Sequence, residues 1–404
     1  MPACPLILLT HHAPYMEAFT IPLKITTVTP LHIGDDKGEV LSPYCDYVFK
    51  DNESLYYLNL RRIEEKVVKA NALDEYVRLV RAMDNTRSEF DLKRFLTDRL
   101  KLRLEDVVSH TIRQKGLKEK QKLQIMRTVR NGYQPYLPGS SLKGAIRTAI
   151  LYDWLVCTES GEPVLKDYSK KLLAIEKESD RKKKEDEKRR FFDESKLWGS
   201  LSTGSDARFL RVRDSQPLSA ETLMVCGLRR IRLVQGKSKA DIPQAVEAIK
   251  PGAILHTEIS IVPEFKHAYF EYLKKKDDVE SMLNNWTSFS KDCIKYECEE
   301  LQDALNNKHS PEEIENLLTF YEGLSERAEN GEHFLRLGFG KTVHDNSLIL
   351  SWLNGLEEAE GEKSWKLFLE IFHKGRRNRD FYPVTRTVTS DYKPMGWVKI
   401  ELDE

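Results

Sequence analysis

The run from Pro138 to Trp154 places the tightest constraint on the fold. Pro138 and Gly139 break the extended segment before them, and a helix has to follow. Leu142, Ile146, Ile150 and Trp154 recur every four residues and form one apolar stripe. A stripe of that length must be buried against a second layer, so this helix belongs to a packed core. Ser140 or Ser141 is expected to cap its first turn. Unpaired N–H groups at a helix start, with the dipole behind them, favour an anion. Lys143 and Arg147 lie four apart and off the stripe, so they share an exposed edge where they could clamp a phosphate. A capped helix with two solvated cations satisfies the same pattern, and this motif alone does not decide between them.

Around that helix, strand and helix signals mix. Ile21, Leu23 and Ile25 alternate with polar or small residues up to Leu31-His32-Ile33-Gly34. Two further strands are predicted at 44–49 and 55–60, joined by the turn Asp51-Asn52-Glu53. Helices are predicted at 61–83 and 88–102. The second half starts with strands at 207–213, where Leu210 and Val212 share one face and Phe209, Arg211 and Arg213 the other, and at 253–261. Helices at 279–306 and 311–330 follow, then the turn Arg336-Leu337-Gly338-Phe339-Gly340-Lys341-Thr342, one more helix and a last strand at 396–400. There is no βαβ rhythm, so a split α+β sandwich is expected rather than a doubly wound sheet.

Charge is segregated even though Lys+Arg and Asp+Glu both number 64. Residues 113–130 carry seven basic side chains and one acid, Glu119, and read as a helix or a mobile arm. Residues 227–239 carry five basic side chains and no acid, and Arg376, Arg377 and Arg379 form a third cluster. Such stretches can build a positive groove in a neutral chain, and each can equally be a solvated face. Residues 176–190 hold eight basic and six acidic residues with nothing apolar, which reads as a solvated helix or insertion. With 40% hydrophobic and 32% charged residues, the composition is that of a charge-rich globular protein.

Several chemistries are set aside. The six cysteines show no CxxC pair or zinc-like spacing, which points to a reducing compartment without structural zinc, and no metal or cofactor is expected. No run approaches the apolar length of a membrane span, so a cytoplasmic protein is expected. Ser140-x-x-Lys143 has the outline of a serine acyl-transferase motif without its companion segments. Gly340-Lys341-Thr342 lacks the earlier glycine of a nucleotide loop, because Leu335 stands there. The glycines at 338 and 340 still let a backbone approach a ligand or another chain. Asp35 and Asp36 beside His32 could do acid–base or metal work, although adjacent aspartates after a strand are commonly turn formers. Phe209, Arg211 and Arg213 on one strand face suit RNA, by stacking and phosphate contact.

In their order these motifs resemble the RAMP superfamily of CRISPR effector proteins. The matching blocks are Thr29-Pro30-Leu31-His32-Ile33-Gly34, the run from Tyr136 through Pro138-Gly139-Ser140-Ser141-Leu142-Lys143-Gly144 to Arg147, Leu197-Trp198-Gly199-Ser200, Phe209 to Ser215, Pro251-Gly252-Ala253, and Leu335 to Lys341. The resemblance covers about Thr20 to Val343. The chain's size and its tail, Tyr382 to Arg386 followed by Pro394 to Lys399, look like the RAMP subunit that caps the crRNA 3′ end in the type III-A (Csm) complex. The fold this implies is RRM-like (ferredoxin-like), with two domains at 1–200 and 201–404 and helical insertions. The function it implies is a non-catalytic RNA-binding subunit that binds the 3′ region of crRNA, caps the backbone filament and supports 3′-end maturation in antiviral defence. Expected partners are crRNA, adjacent RAMP backbone subunits, target RNA near its end and host ribonucleases that trim. The residues assigned to RNA are His32, Gly34, Ser140, Ser141, Lys143, Arg147, Arg211, Arg213, Arg336, Gly338, Gly340 and Lys341. The target-cutting RAMP subunit uses an aspartate after its first strand. Lys37-Gly38-Glu39-Val40 does not reproduce that loop, so no catalytic residue is assigned. The alternative is a metal-dependent endoribonuclease acting through Asp35 or Asp36.

Overall fold

The alternation at Ile21, Leu23 and Ile25 becomes the middle strand of a sheet. In the computed structural model this strand spans Phe19–Thr27, and the residues described are 19–35, 37–81, 90–192, 197, 206–233, 243–262, 279–307, 311–345, 348–372 and 383–403. It pairs antiparallel with Ile254–Ile261 on one side, Ile21 opposite Ile259 and Ile25 opposite Leu255. On its other side Ile25 faces Ile400 of Trp397–Leu402. Adding His333–Arg336 beside Trp397–Leu402 and Leu210–Val212 beside Ile254–Ile261 makes five strands among the described residues. The alternate residues Leu255, Ile259 and Ile261 are buried with Ile21, Leu23 and Ile25, as a strand with one face on the core requires.

Among the described residues the second sheet has eight strands. Seven run in the order Val40–Leu41, Ile125–Met126, Gln244–Ile249, Leu223–Arg232, Val108–Lys115, Ser54–Leu58 and Tyr47–Phe49, and Thr385–Thr389 pairs with the far end of Leu223–Arg232. Its pairing is antiparallel except where Leu223–Arg232 meets Val108–Lys115 and Gln244–Ile249 meets Ile125–Met126. Both sheets draw strands from either side of residue 200.

The basic stretch 113–130 is built into this sheet, which corrects the helix-or-arm expectation. Ile112 and Gln114 point inward while Arg113 and Lys115 point out. A buried glutamine hides the period-2 pattern from a reader of the sequence. It is tolerated because its side chain donates to the Asn52 carbonyl and accepts from the Leu117 N–H at 3.0 Å. The stretch then passes through a short 3₁₀ turn at Glu119–Gln121 and the strand Ile125–Met126. The predicted 61–83 helix is two helices, Leu60–Lys69 and Leu73–Arg81, separated where Asn71 takes a left-handed φ of 51°.

The Gly139–Cys157 helix packs between the first sheet and the Val279–Asn306 helix, which pairs in turn with Pro311–Glu329. Beyond its second turn it is buried nearly all round: Ala149, Ile150, Leu151 and Tyr152 are consecutive and all buried. The single stripe expected therefore describes only the first turns, where the helix keeps one exposed edge. The Tyr152 hydroxyl bonds Asp292 and accepts from Asn354 at 2.8 Å, so the buried phenol is satisfied. Arg386, on Thr385–Thr389, reaches Glu297 (2.6 Å) and Glu300 on the Val279–Asn306 helix and ties the second sheet to the helical layer. The helix Arg181–Arg189 has no buried residue, as a solvated helix should. Trp198 to Ser200, Lys237, Lys239, Arg376, Arg377, Arg379 and Tyr382 lie outside the described residues.

Candidate nucleic-acid interface

The helix start does not use the cap the sequence suggests. Pro138 occupies the N-cap position and neither serine caps; the Gly139 N–H instead donates to Asp214 Oδ1 at 2.7 Å. The Ser141 and Leu142 N–H groups turn back to the Pro138 carbonyl. Gly139 lies so close to the strand Leu210–Val212 that a Cβ there would meet the Val212 carbonyl oxygen at 2.2 Å. Leu137 and Ser215 lock the same approach: the Ser215 N–H donates to the Leu137 carbonyl and the Leu137 N–H to Ser215 Oγ, both at 2.9 Å. A carboxylate from a distant segment thus meets the positive end of the dipole. An incoming phosphate would find its cations one turn later.

Those cations are gathered. Lys143 is half-buried, and its ammonium is held below the ordinary lysine range by burial and by the charges of Arg147 and Arg211 beside it. A chain that sets three cations against one another maintains a local positive field. Arg213 is exposed just past the end of the neighbouring strand, with its guanidinium on Glu258 at 2.6 Å.

Next to the helix start lies a cavity of about 630 Å³. Gly34, Asp35, Arg127, Arg130, Ser140 and Asp214 are among its walls, and Ser141 lines it as well. Four separate segments converge there. Arg130 is paired with the fully buried Glu247, and Arg127 bonds Glu39 at 3.1 Å. Burial pushes the Glu247 carboxyl upward, and the facing Arg130 pulls it back. The lining therefore mixes donors and acceptors and is not uniformly basic. Arg127, Arg130, Asp214 and Glu247 were not among the residues expected at the site. The one signal for Glu247 was a lone charge within the otherwise uncharged strand Gln244–Ile249.

His32 and the glycine turn form a rigid joint behind the cavity. His32 is buried, its Nδ1 lies 2.6 Å from the Glu247 carbonyl, and burial holds the imidazole below its ordinary pKa. The Phe339 N–H donates to the His32 carbonyl at 2.8 Å, and the two rings meet edge-on at 5.8 Å. Gly338 has φ 66°, and a Cβ there would stand 2.2 Å from that same carbonyl oxygen. Gly340 (φ 89°) turns against Met395. Lys341 is partly buried, and burial holds its ammonium below the usual range.

Arg336 corrects the sequence expectation. It is buried, donating to the Met395 carbonyl (3.1 Å), Asp345 (2.7 Å) and the Gly340 carbonyl (2.8 Å). Its guanidinium holds the glycine turn in shape and has no face for a nucleic acid. Asp35 is a turn former: its carboxylate accepts the Glu39 N–H at 3.0 Å. Asp36 lies outside the described residues, and among the described residues no cluster of three or more metal-ligating side chains occurs. No described helix is long and apolar enough to cross a membrane.

A model of the RAMP superfamily matches residues 24–343. The chain belongs to the RAMP superfamily. It is similar to the CRISPR system Cms protein Csm5 of Methanocaldococcus jannaschii, 25% identical over 96% of this chain and 90% of that one. It is similar to Csm5 of Streptococcus thermophilus, 26% identical over 33% of this chain and 38% of the relative. Among solved structures, the crystal structure of T. onnurineus Csm5 aligns with a TM-score of 0.63 at 25% identity, covering 93% of this chain and 99% of that one. A chain of a type III-A Csm–crRNA–target RNA ternary complex aligns with a TM-score of 0.67 at 22% identity, covering 95% and 100%. The mixed α+β architecture of this RAMP chain is thus shared across nearly its whole length.

Proposed function

We propose that this RAMP chain is an RNA-binding subunit of a type III-A Csm effector complex, holding the 3′ region of crRNA and capping the backbone filament. The observation that carries this reading is the gathering of Lys143 and Arg147 on the partly exposed edge of the helix with Arg211 from the neighbouring strand, beside a cavity of about 630 Å³ built from four segments. Backbone phosphate beside clustered cations, with a polar cavity to take a sugar or base, is how single-stranded RNA is held without reading long sequence. The likeness to Csm5 proteins across both chains supports the assignment to that complex. Crucial partners in this reading are crRNA, the adjacent RAMP subunit and target RNA near its end, with host ribonucleases trimming the 3′ end. We also read the two sheets as RRM-like units, each assembled from both halves of the chain.

Lys143→Glu with Arg147→Glu should lower crRNA affinity about tenfold or more and flatten its salt dependence, each lost single-strand phosphate contact removing roughly 0.7 from the log–log slope. Fluorescence anisotropy across a salt series measures both. Unchanged affinity and unchanged slope would overturn the reading.

A second reading, a metal-dependent endoribonuclease, is favoured by one observation: Asp35 lines the cavity. Incubation of the purified chain with Mg²⁺ and labelled RNA decides between them. Cleavage abolished by Asp35→Ala would replace the non-catalytic reading.

A further inference from the structure

A second cavity adjoins the first. Arg127 lines both, so the two meet at its side chain. The second encloses about 360 Å³, and its walls include Leu41, Leu58, Tyr57, His110, Arg61 and Tyr133. None of these residues belongs to the motifs that carry the family likeness.

Tyr133 is the unusual member. At 71% exposure it is the most exposed large hydrophobic side chain among the described residues. It stands at the tip of the hairpin Arg130–Asn131/Gln134–Pro135, whose two-residue connection is Gly132-Tyr133, with Gly132 at φ 61°. So tight a connection leaves the ring no route back to the core. The hairpin is anchored at its base, where Arg130 pairs with the buried Glu247. A large ring is thereby held out in solvent on a fixed support, at the rim of a cavity. Across that cavity the His110 ring meets Tyr57 edge-on, with centroids 5.0 Å apart. Burial and the nearby Arg130 and Arg127 hold His110 below the ordinary histidine range, so it presents a neutral ring at pH 7. Leu41 and Leu58 supply apolar surface, while Arg61 and Arg127, the latter also bonded to Glu39, supply positive charge beside one acid, Asp46. Flat rings, apolar walls and flanking cations match a planar aromatic group joined to phosphate. The volume is of the size that ligand pockets begin at, roughly 300 Å³.

We propose that this cavity receives one unpaired RNA base, stacked on Tyr133, with Arg127 beside the phosphate that links it to a nucleotide in the first cavity. The proposal rests on the RNA-binding reading above and extends the RNA path beyond the Lys143 helix.

The full chain is titrated with a fluorescent single-stranded RNA, and separately irradiated with the same RNA carrying 4-thiouridine. Tyr133→Ala should weaken binding by about five- to tenfold, and Tyr133→Phe should bind within about twofold of the parent, because stacking needs the ring and not the hydroxyl. Crosslinked peptides should include Tyr133. Full affinity in Tyr133→Ala, equal losses in Tyr133→Ala and Tyr133→Phe, or crosslinks confined to the Lys143 helix would each overturn the stacking site while leaving the RNA-binding reading in place. Failure of the parent to bind RNA would overturn both.

Discussion

The Gly139 N–H donates to the Asp214 carboxylate at 2.7 Å, joining two sequence motifs that are 75 residues apart. The bond makes the start of the central helix dependent on the strand Leu210–Val212, since both the cap and the close approach come from that side. Asp214→Ala should destabilise the fold by about 1 kcal/mol, the usual value of a lost helix cap, and Asp214→Asn by less. Chemical denaturation of the purified variants reads the difference. Equal stability of Asp214→Ala and the parent would show that the bond does not hold the helix start.

Gly338 carries two constraints at once, a left-handed φ of 66° and a Cβ position 2.2 Å from the His32 carbonyl oxygen. Gly338→Ala should cost more than the ~1 kcal/mol of a strained φ alone, because backbone has to move as well. Gly132, with a similar φ of 61° and open space around it, supplies the control. Gly132→Ala should cost only the strain, and the gap between the two melting temperatures measures the contact.

Arg386 is buried between Glu297 and Glu300. Removing one member of such a cluster leaves uncompensated charge in the interior, so Arg386→Met should destabilise by roughly 3–5 kcal/mol. Arg386→Met combined with Glu297→Gln and Glu300→Gln should recover part of that loss. The set of denaturation midpoints tests it, and a single variant as stable as the parent would refute the account.

His32 sets a pH dependence. Burial lowers its pKa in the folded protein below the ordinary histidine value of 6.5, so at acidic pH the unfolded chain binds more protons than the folded one. Stability should therefore hold above about pH 6.5 and fall as pH drops through that value. His32→Gln should flatten this part of a melting-temperature profile measured from pH 7.5 to 5.0, whatever its effect at neutral pH. An equally steep fall in the variant would assign the acid sensitivity to other groups.

Local pattern accounts for much of what the sequence made legible. Ile21, Leu23 and Ile25 announced a half-buried strand, and Leu255, Thr257, Ile259 and Ile261 announced its partner, because period-2 burial is written in neighbouring residues. The pattern failed where a polar residue took an inward place. Gln114 disguised a strand as a basic arm, and Glu247 was passed over within the strand that positions Arg130. Arg336 failed in the opposite direction. Beside the glycines it looked like a cation for RNA, yet Asp345 and the carbonyls of Gly340 and Met395 hold it in the interior, and the Met395 segment arrives from 59 residues away.

The sequence by itself determined the helix that follows Pro138, the strands around Ile21–Ile25 and Leu255–Ile261, the cations at 143 and 147, and the order of motifs that carries the family likeness. Only the tertiary structure decided what those motifs do to one another. Asp214 takes the helix cap from the serines, His32 and Gly338 close on each other, and Arg127 and Arg130 arrive at the cavity from a stretch that looked like a free arm. The physical reason is range. Periodicity and propensity act over one or two turns, whereas a hydrogen bond, a close backbone contact or a buried ion pair depends on which distant segments the two sheets bring together.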